Sequence, residues 1–263
     1  MDANPAGTLM SIADKFRLDG HVALVTGAGR GIGKGIALAL AEAGADVACA
    51  ARTQEEVDKV AEEIRDMGRN ALSVSCNVAS ESGRQDLIDA CVGELGGLSI
   101  LVNNAGGAGP NNPLKTSAEE FSQTLTWNVV PAFDLSRAAA PHLREADNGC
   151  IINISSMAAR LRQKKFSAYG SAKAALSQLT RLLAQDFAPD IRVNAIEPGP
   201  IATEALLQYM TPEARDHIVA AIPLKRLGEV EDVAATAVFL ASPAASWISG
   251  KIIELDGGTE APW

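Results

Sequence analysis

Tyr169 and Lys173 stand four residues apart in the stretch FSAYGSAKAAL, residues 166–176. If that stretch is helical, the two side chains lie one above the other on one face, with about 5 to 6 Å between their Cβ atoms. A free phenol titrates near 10 and is a poor base at neutral pH. A neighbouring cation favours the phenolate and lowers that value, each unit being worth about 1.4 kcal/mol. The pair is therefore a candidate for proton transfer, with Lys173 making the phenol of Tyr169 acidic enough to give up and recover a proton. The plainer alternative is a half-buried tyrosine beside a solvated lysine.

Holding such a pair requires a framework, and the hydrophobic patterning describes one. Seven short apolar runs are present: HVALVT (21–26), DVACAA (46–51), ALSVSCN (71–77), SILVN (99–103), CIINIS (150–155), IRVNAIE (191–197) and KIIEL (251–255). Between them, amphipathic spacing predicts helices over 33–43, 54–67, 82–95, 118–143, 168–187 and 230–241. Continuous apolar strands separated by helices imply a parallel sheet buried on both faces, joined by right-handed crossovers. The expected fold is α/β: a single Rossmann-type doubly wound domain with a seven-stranded parallel sheet flanked by helices on both faces. Residues 1–19 read as an N-terminal extension and 20–263 as the domain, with no internal repeat or linker. The proline-containing stretch 199–223 reads as a lid or substrate loop. Its Leu206, Leu207, Tyr209 and Met210 either cover an apolar substrate or simply pack.

Directly after the first strand comes TGAGRGIG, Thr26 to Gly33, and then a helix. In that position the run is a nucleotide-binding signal, because Gly27, Gly31 and Gly33 let the backbone turn tightly and approach a pyrophosphate at the positive end of the helix dipole. Arg30 and Ile32, between the glycines, are counted with the cofactor-contacting residues. At the end of the second strand a carboxylate would accept from a ribose 2′-hydroxyl, but Ala51 and Arg52 occupy that point. Arg30 and Arg52 suit a 2′-phosphate, which guanidinium matches in bidentate geometry. NADP(H) is the expected cofactor and NAD(H) the alternative, since Glu55 and Glu56 stand near enough in sequence to neutralise Arg52.

The bulk properties exclude several classes. The 263 residues are 47% hydrophobic and 21% charged, an ordinary globular balance. A formal net charge of −9 repels polyanions, so nucleic acid is not an expected partner. The N-terminus has no charged stretch followed by an apolar run, and no window approaches a membrane span, so neither a signal peptide nor a membrane partner is expected. Cys49, Cys76, Cys91 and Cys150 are scattered and lack a CxxC spacing, and read as buried thiols of a reducing cytoplasm. His21, His142 and His217 have no recognisable Ser, Cys or metal-ligand partners, so no metal site and no hydrolase triad is expected.

Three motifs now stand in order: TGAGRGIG, NNAG at 103–106, and SSMAARLRQKKFSAYGSAK at 155–173. With them the chain resembles the short-chain dehydrogenase/reductase family from about residue 20 to 258, nearly its whole length. Within the family it is most similar to 7α-hydroxysteroid dehydrogenases, through NNAGGAGP (103–110), SSMAA (155–159), PLKRLG (223–228) and SPAASWISG (242–250). The resemblance implies a catalytic set of Asn128, Ser156, Tyr169 and Lys173. Tyr169 would be the acid/base and Ser156 would hold the substrate oxygen. Lys173 would lower the tyrosine pKa and bind the nicotinamide ribose, and Asn128 would anchor a proton-relaying water. It also assigns Asn104, Ala105 and Gly106 to the adenosine ribose and diphosphate, and Pro198, Gly199, Ile201 and Thr203 to the nicotinamide end. Met157 and Gly107 are counted with the substrate-facing residues, beside Ser156 and Tyr169.

The implied reaction interconverts a secondary alcohol and a ketone, with hydroxysteroids as the leading substrate class. The alternatives are a 3-oxoacyl thioester reductase acting on acyl carrier protein or coenzyme A, and a non-catalytic NADP(H)-binding protein. A homotetramer with 118–143 and 168–187 in its interface is also implied. Two positions depart from the family pattern. Asn77, before Val78, stands where an aspartate usually accepts from the adenine amino group, and its amide oxygen can still accept. Glu197 precedes Pro198 and Gly199, where a carboxylate near the diphosphate is unfavourable unless it points away. The basic run Arg160, Arg162, Lys164 and Lys165 is either a solvated loop face or a site for an anionic substrate tail. The tail ending in Trp263 either docks on a neighbour or stays mobile.

Overall fold

A computed structural model describes residues 11–208 and 210–261. The first ten residues of the expected N-terminal extension, Tyr209 and the terminal Trp263 lie outside the described residues. The rest of that extension is anchored. A 3-10 turn at Asp14–Phe16 leads to Leu18, which is fully buried and donates its N–H to Ala43 O at 2.8 Å.

The seven strands are β1 Val22–Thr26, β2 Asp46–Ala51, β3 Ala71–Ser75, β4 Ile100–Asn103, β5 Cys150–Ile154, β6 Arg192–Pro198 and β7 Ile252–Leu255. All neighbouring pairs are parallel, in the order β3-β2-β1-β4-β5-β6-β7. The order reverses between β1 and β4, and at such a switch point the crevice beyond the strand carboxyl ends receives ligands. The helices are α1 Gly31–Glu42, α2 Gln54–Asp66, α3 Glu81–Leu95, α4 Ala118–Glu145, α5 Ser167–Asp186, α6 Glu204–Leu207, α7 Pro212–Ala221 and α8 Val230–Ala241.

Alternation along the strands divides the core into two layers. Ala23 and Val25 pack with Ile36 and Leu40 of α1, Val60 of α2 and Val233 of α8. Leu24 faces the other way, into a layer with Leu87 of α3, Leu135 of α4 and Leu183 of α5. Each fully buried aliphatic side chain contributes about 1.5–3 kcal/mol. Helix α4 starts at a capping box, with Glu120 N–H donating to Ser117 Oγ at 3.1 Å and Ser117 N–H to Glu120 Oε2 at 2.7 Å. It passes through Pro131 and Pro141, as predicted, and ends two residues beyond the predicted end. The four cysteines are buried and free, and burial pushes Cys49 and Cys91 up to about 12. Among the described residues there is no cluster that could hold a metal ion, and no helix is long and apolar enough to cross a membrane.

Candidate active site

The carboxyl ends of β1 and β4 are laced together by one hydroxyl. Thr26 Oγ1 accepts the N–H groups of Asn104 and Ala105, each at 3.0 Å, and donates to Val102 O at 3.2 Å. The Asn104 amide donates back to Thr26 O at 2.9 Å and to Gly27 O at 3.3 Å. Its side chain thus builds the floor of the crevice. Gly27 sits at φ +66°, and a Cβ there would lie 2.7 Å from Asn104 Nδ2. Only glycine lets the two loops approach this closely. Helix α1 begins at Gly31 with no side chain capping its first turn, so its leading N–H groups are free to meet an anion.

These features border a cleft of about 370 Å³ whose lining includes Arg30, Arg52, Glu56, Val78, Ala105 and Thr203. Ile32, Gly31, Gly33 and Gly106 also line it. A glycine cradle, uncapped helix N–H groups and two arginines fit a dinucleotide diphosphate and ribose. Val78 is fixed from behind by Arg84, whose Nη1 donates to Val78 O at 2.8 Å and whose Nε reaches Asp134 at 2.6 Å.

On the other side of the crevice Lys173 and Asn128 are buried, with Ser156 and Tyr169 half-buried beside them. Lys173, 4% exposed, donates from Nζ to Ile154 O at 2.8 Å and sits 5.7 Å from the centre of the Tyr169 ring. Asn128 on α4, 3% exposed, accepts the Gly107 N–H at 2.8 Å and donates to Thr124 O at 2.9 Å. Gly106 lies between these groups: a Cβ on it would be 2.9 Å from Asn128 Oδ1 and 3.4 Å from Lys173 Nζ. Ser156 follows β5 and opens a 3-10 turn, Met157–Ala159, accepting the Ala158 N–H at 3.2 Å. Beneath them a polar chain ties β4, β5 and α5 together. Asn103 Nδ2 donates to Asn153 Oδ1, and Asn153 Nδ2 to Thr180 Oγ1, both at 2.9 Å.

The electrostatics correct one expectation. Burial pushes the Tyr169 phenol above its usual value, and the Ser156 side chain pulls it back only in part. Burial also draws Lys173 down to about 8, because a dry site disfavours its charge. Desolvation, invisible in a four-residue spacing, sets the direction, and the only group that lowers the phenol is Ser156 rather than Lys173. Near neutral pH the phenol holds its proton and Lys173 keeps its charge.

Other expectations are met unevenly. Glu197 does point away: on β6 it turns towards α5, 4% exposed, and accepts from Ser177 Oγ at 2.6 Å. Burial raises its pKa, and the Ser177 hydrogen bond opposes the rise. Ser177 and Ser155 hydroxyls are 2.8 Å apart, and Ser155 donates to Lys173 O at 3.1 Å. Asn77 is not brought to the cleft, since its Oδ1 accepts the Ala79 N–H at 3.2 Å and its neighbours Cys76 and Val78 line the wall instead. Met157, in the turn after Ser156, is 5% exposed. Thr203 reaches the cleft opposite Gly31. Pro198 ends β6, buried, while Gly199 and Ile201 line a separate cavity of about 150 Å³ with Ile222 and Leu224.

Arg160 is not available to a substrate tail. It pairs with Glu254 at 3.0 Å and with Asp256, and donates to Thr259 O at 2.8 Å, pinning the loop after Ser156 to β7 and the segment that follows it. Arg162, Lys164 and Lys165 remain exposed. Sequence reasoning gave no role to Thr26, Arg84 or the Ser155–Ser177–Glu197 chain. Strand alternation was the available signal for Glu197, because Val193 on the same β6 face packs towards α5.

A doubly wound sheet, a glycine cradle at its switch point and a Tyr-Lys-Ser-Asn constellation beside it define a class. The chain belongs to the short-chain dehydrogenase/reductase family, and its residues 27–260 match the family described as enoyl-(acyl carrier protein) reductase. It is an oxidoreductase of that family, related to hydroxysteroid dehydrogenases. It is 42% identical over 247 residues to the 7α-hydroxysteroid dehydrogenase of Escherichia coli K12, covering 94% of this chain and 96% of the relative. An uncharacterized oxidoreductase of Mycobacterium tuberculosis is 49% identical over 253 residues, 95% of this chain and 96% of its own length. A solved 7α-hydroxysteroid dehydrogenase complexed with NADH and 7-oxo glycochenodeoxycholic acid superposes with a TM-score of 0.92 at 41% identity, covering 95% of this chain and 98% of that one.

Proposed function

We propose that this protein interconverts a secondary alcohol and a ketone with NADP(H), and that a hydroxysteroid with an oxygen at the 7α position is its leading substrate class. The observation that carries the reading is the buried Lys173 held on Ile154 O beside the Tyr169 ring, with Ser156 at the end of β5 and Asn128 across Gly106. The nicotinamide supplies or takes up the hydride. When a carbonyl carbon gains hydride its oxygen becomes an alkoxide, and the protein must neutralise that charge. Tyr169, protonated at neutral pH, donates its proton to that oxygen, while Ser156 Oγ–H hydrogen-bonds it. The charged Lys173 then stabilises the phenolate left behind. Asn128, fixed on Gly107 and Thr124, orients the water through which the phenolate recovers a proton.

The raised phenol favours the reductive direction at neutral pH, because an acid must hold its proton to give it. Alcohol oxidation needs the phenolate and gains as pH rises. The 3-oxoacyl thioester reading keeps the same four residues and differs only in what the loop 199–223 covers. Support for the steroid reading is the 42% identity to an enzyme of that name. We place Arg30 and Arg52 at the 2′-phosphate, the enzyme in the cytoplasm, and the exposed faces of α4 and α5, with Val130, Phe133 and Leu182, in a homotetramer interface. A panel of steroid and acyl-thioester ketones assayed with NADPH and NADH tests the reading. Turnover of a 7-oxo steroid is expected; turnover of acetoacetyl thioesters alone would overturn the substrate class.

A further inference from the structure

Gly29 has no left-handed backbone to explain it, yet nothing larger fits. A Cβ there would lie 2.7 Å from Glu56 Oε2 and 2.8 Å from Glu56 Cβ. The third residue of α2 is therefore laid against the glycine turn, on the wall of the dinucleotide cleft that Arg30 and Arg52 also line. Among the described residues neither arginine forms an ion pair with Glu56 or with any other carboxylate. The cleft wall thus carries two exposed guanidiniums and one half-buried carboxylate.

We infer that Glu56 is a specificity-determining residue that holds back the 2′-phosphorylated cofactor, an inference resting on the reading of this cleft as the dinucleotide site. A 2′-phosphate brings close to two negative charges, and a carboxylate on the same wall repels them, offsetting part of what Arg30 and Arg52 contribute. A ribose 2′-hydroxyl carries no such charge and tolerates the carboxylate as an acceptor. The chain thereby keeps both cofactors usable although its second strand ends in Arg52 rather than an acid. Glu55, next in sequence, is exposed and does not line the cleft, so its charge acts from farther away and through solvent.

The test is equilibrium binding of NADPH and NADH, read by nicotinamide fluorescence, for the wild type, E56Q, E56D and E55Q. Removing the charge in E56Q is expected to tighten NADPH by about three- to tenfold and leave NADH within about twofold, with the gain shrinking at about 0.5 M salt. E56D, which draws the carboxylate back, is expected to give part of the gain, and it carries the test if E56Q does not fold. E55Q is expected to leave the NADPH-to-NADH ratio unchanged. An unchanged ratio in both Glu56 variants, with both cofactors bound by the wild type, would overturn this inference and leave the cleft's assignment standing. An equal gain in E55Q would also overturn it, since overall charge would then explain the effect. Failure of the wild type to bind either cofactor would overturn the assignment of the cleft and the inference together.

Discussion

The two sides of the crevice are built from different materials. The nucleotide side is backbone and open charge: glycines at the end of β1, uncapped N–H groups of α1, and Arg30 and Arg52 in solvent. The catalytic side is a dry network in which Asn128, Lys173 and Glu197 are 3%, 4% and 4% exposed and each makes a hydrogen bond. A group recognised through water loses its effect gradually when altered, because solvent fills in. A buried polar group leaves its partners unpaired, and the loss is abrupt. Cofactor choice should therefore be tunable in small steps here, whereas catalysis should not.

The strongest attack on that contrast is Lys173→Met. Loss of the charge beside the phenol is expected to lower kcat by about 10²- to 10⁴-fold, measured at saturating cofactor. The same change should raise stability. Lys173 titrates near 8 in the fold against 10.5 in the unfolded chain, so below pH 8 the folded state bears the full cost of a buried charge. That cost fades between 8 and 10.5 and is gone above. Denaturant titration should find the variant about 1–3 kcal/mol more stable at pH 7 and level with the wild type above about pH 10.5. For the same reason ketone reduction by the wild type should decline as pH rises through about 8.

Ser177→Ala comes next. It strips Glu197 of its hydroxyl donor inside the protein, and thermal unfolding at pH 7 should report a loss of about 1–3 kcal/mol. Glu197 has a raised pKa, so the loss should shrink in acid, where a protonated carboxyl needs its partner less. Arg52→Gln should weaken NADPH by about tenfold and spare NADH, one charge-assisted contact being at stake. A loss as abrupt as that of Lys173→Met would erase the contrast between the two sides. The smallest effect is expected from replacing Arg162, Lys164 and Lys165 together by Ser, with KM for an anionic ketone moving by less than about threefold. A larger shift, absent for a neutral ketone, would restore the anionic-tail reading of that run.

Much of this molecule is legible in its sequence because fully buried parallel strands read as unbroken apolar runs. All seven strands fall within two residues of the predicted bounds. Helices α6 and α7 lie within 199–223, which reads as a loop, since four- and ten-residue helices without buried residues leave little periodicity. Of the site, the spacing of Tyr169 and Lys173 gave the geometry but not the pKa direction, because burial is set by β5, α4 and the Gly106 turn packing around the pair. Arg160 read as part of a basic run because its partners Glu254, Asp256 and Thr259 lie 94 to 99 residues away. Glu56 read only as a neighbour of Arg52, since nothing local ties α2 to Gly29.

The proton donor is the centre of the account, and Tyr169→Phe tests it most directly, with NADPH binding and single-turnover ketone reduction measured on the same preparation. Binding within about twofold of the wild type and a rate lower by about 10²- to 10⁴-fold is the expected result. Binding intact with the rate also intact would contradict the assignment of Tyr169 as the acid.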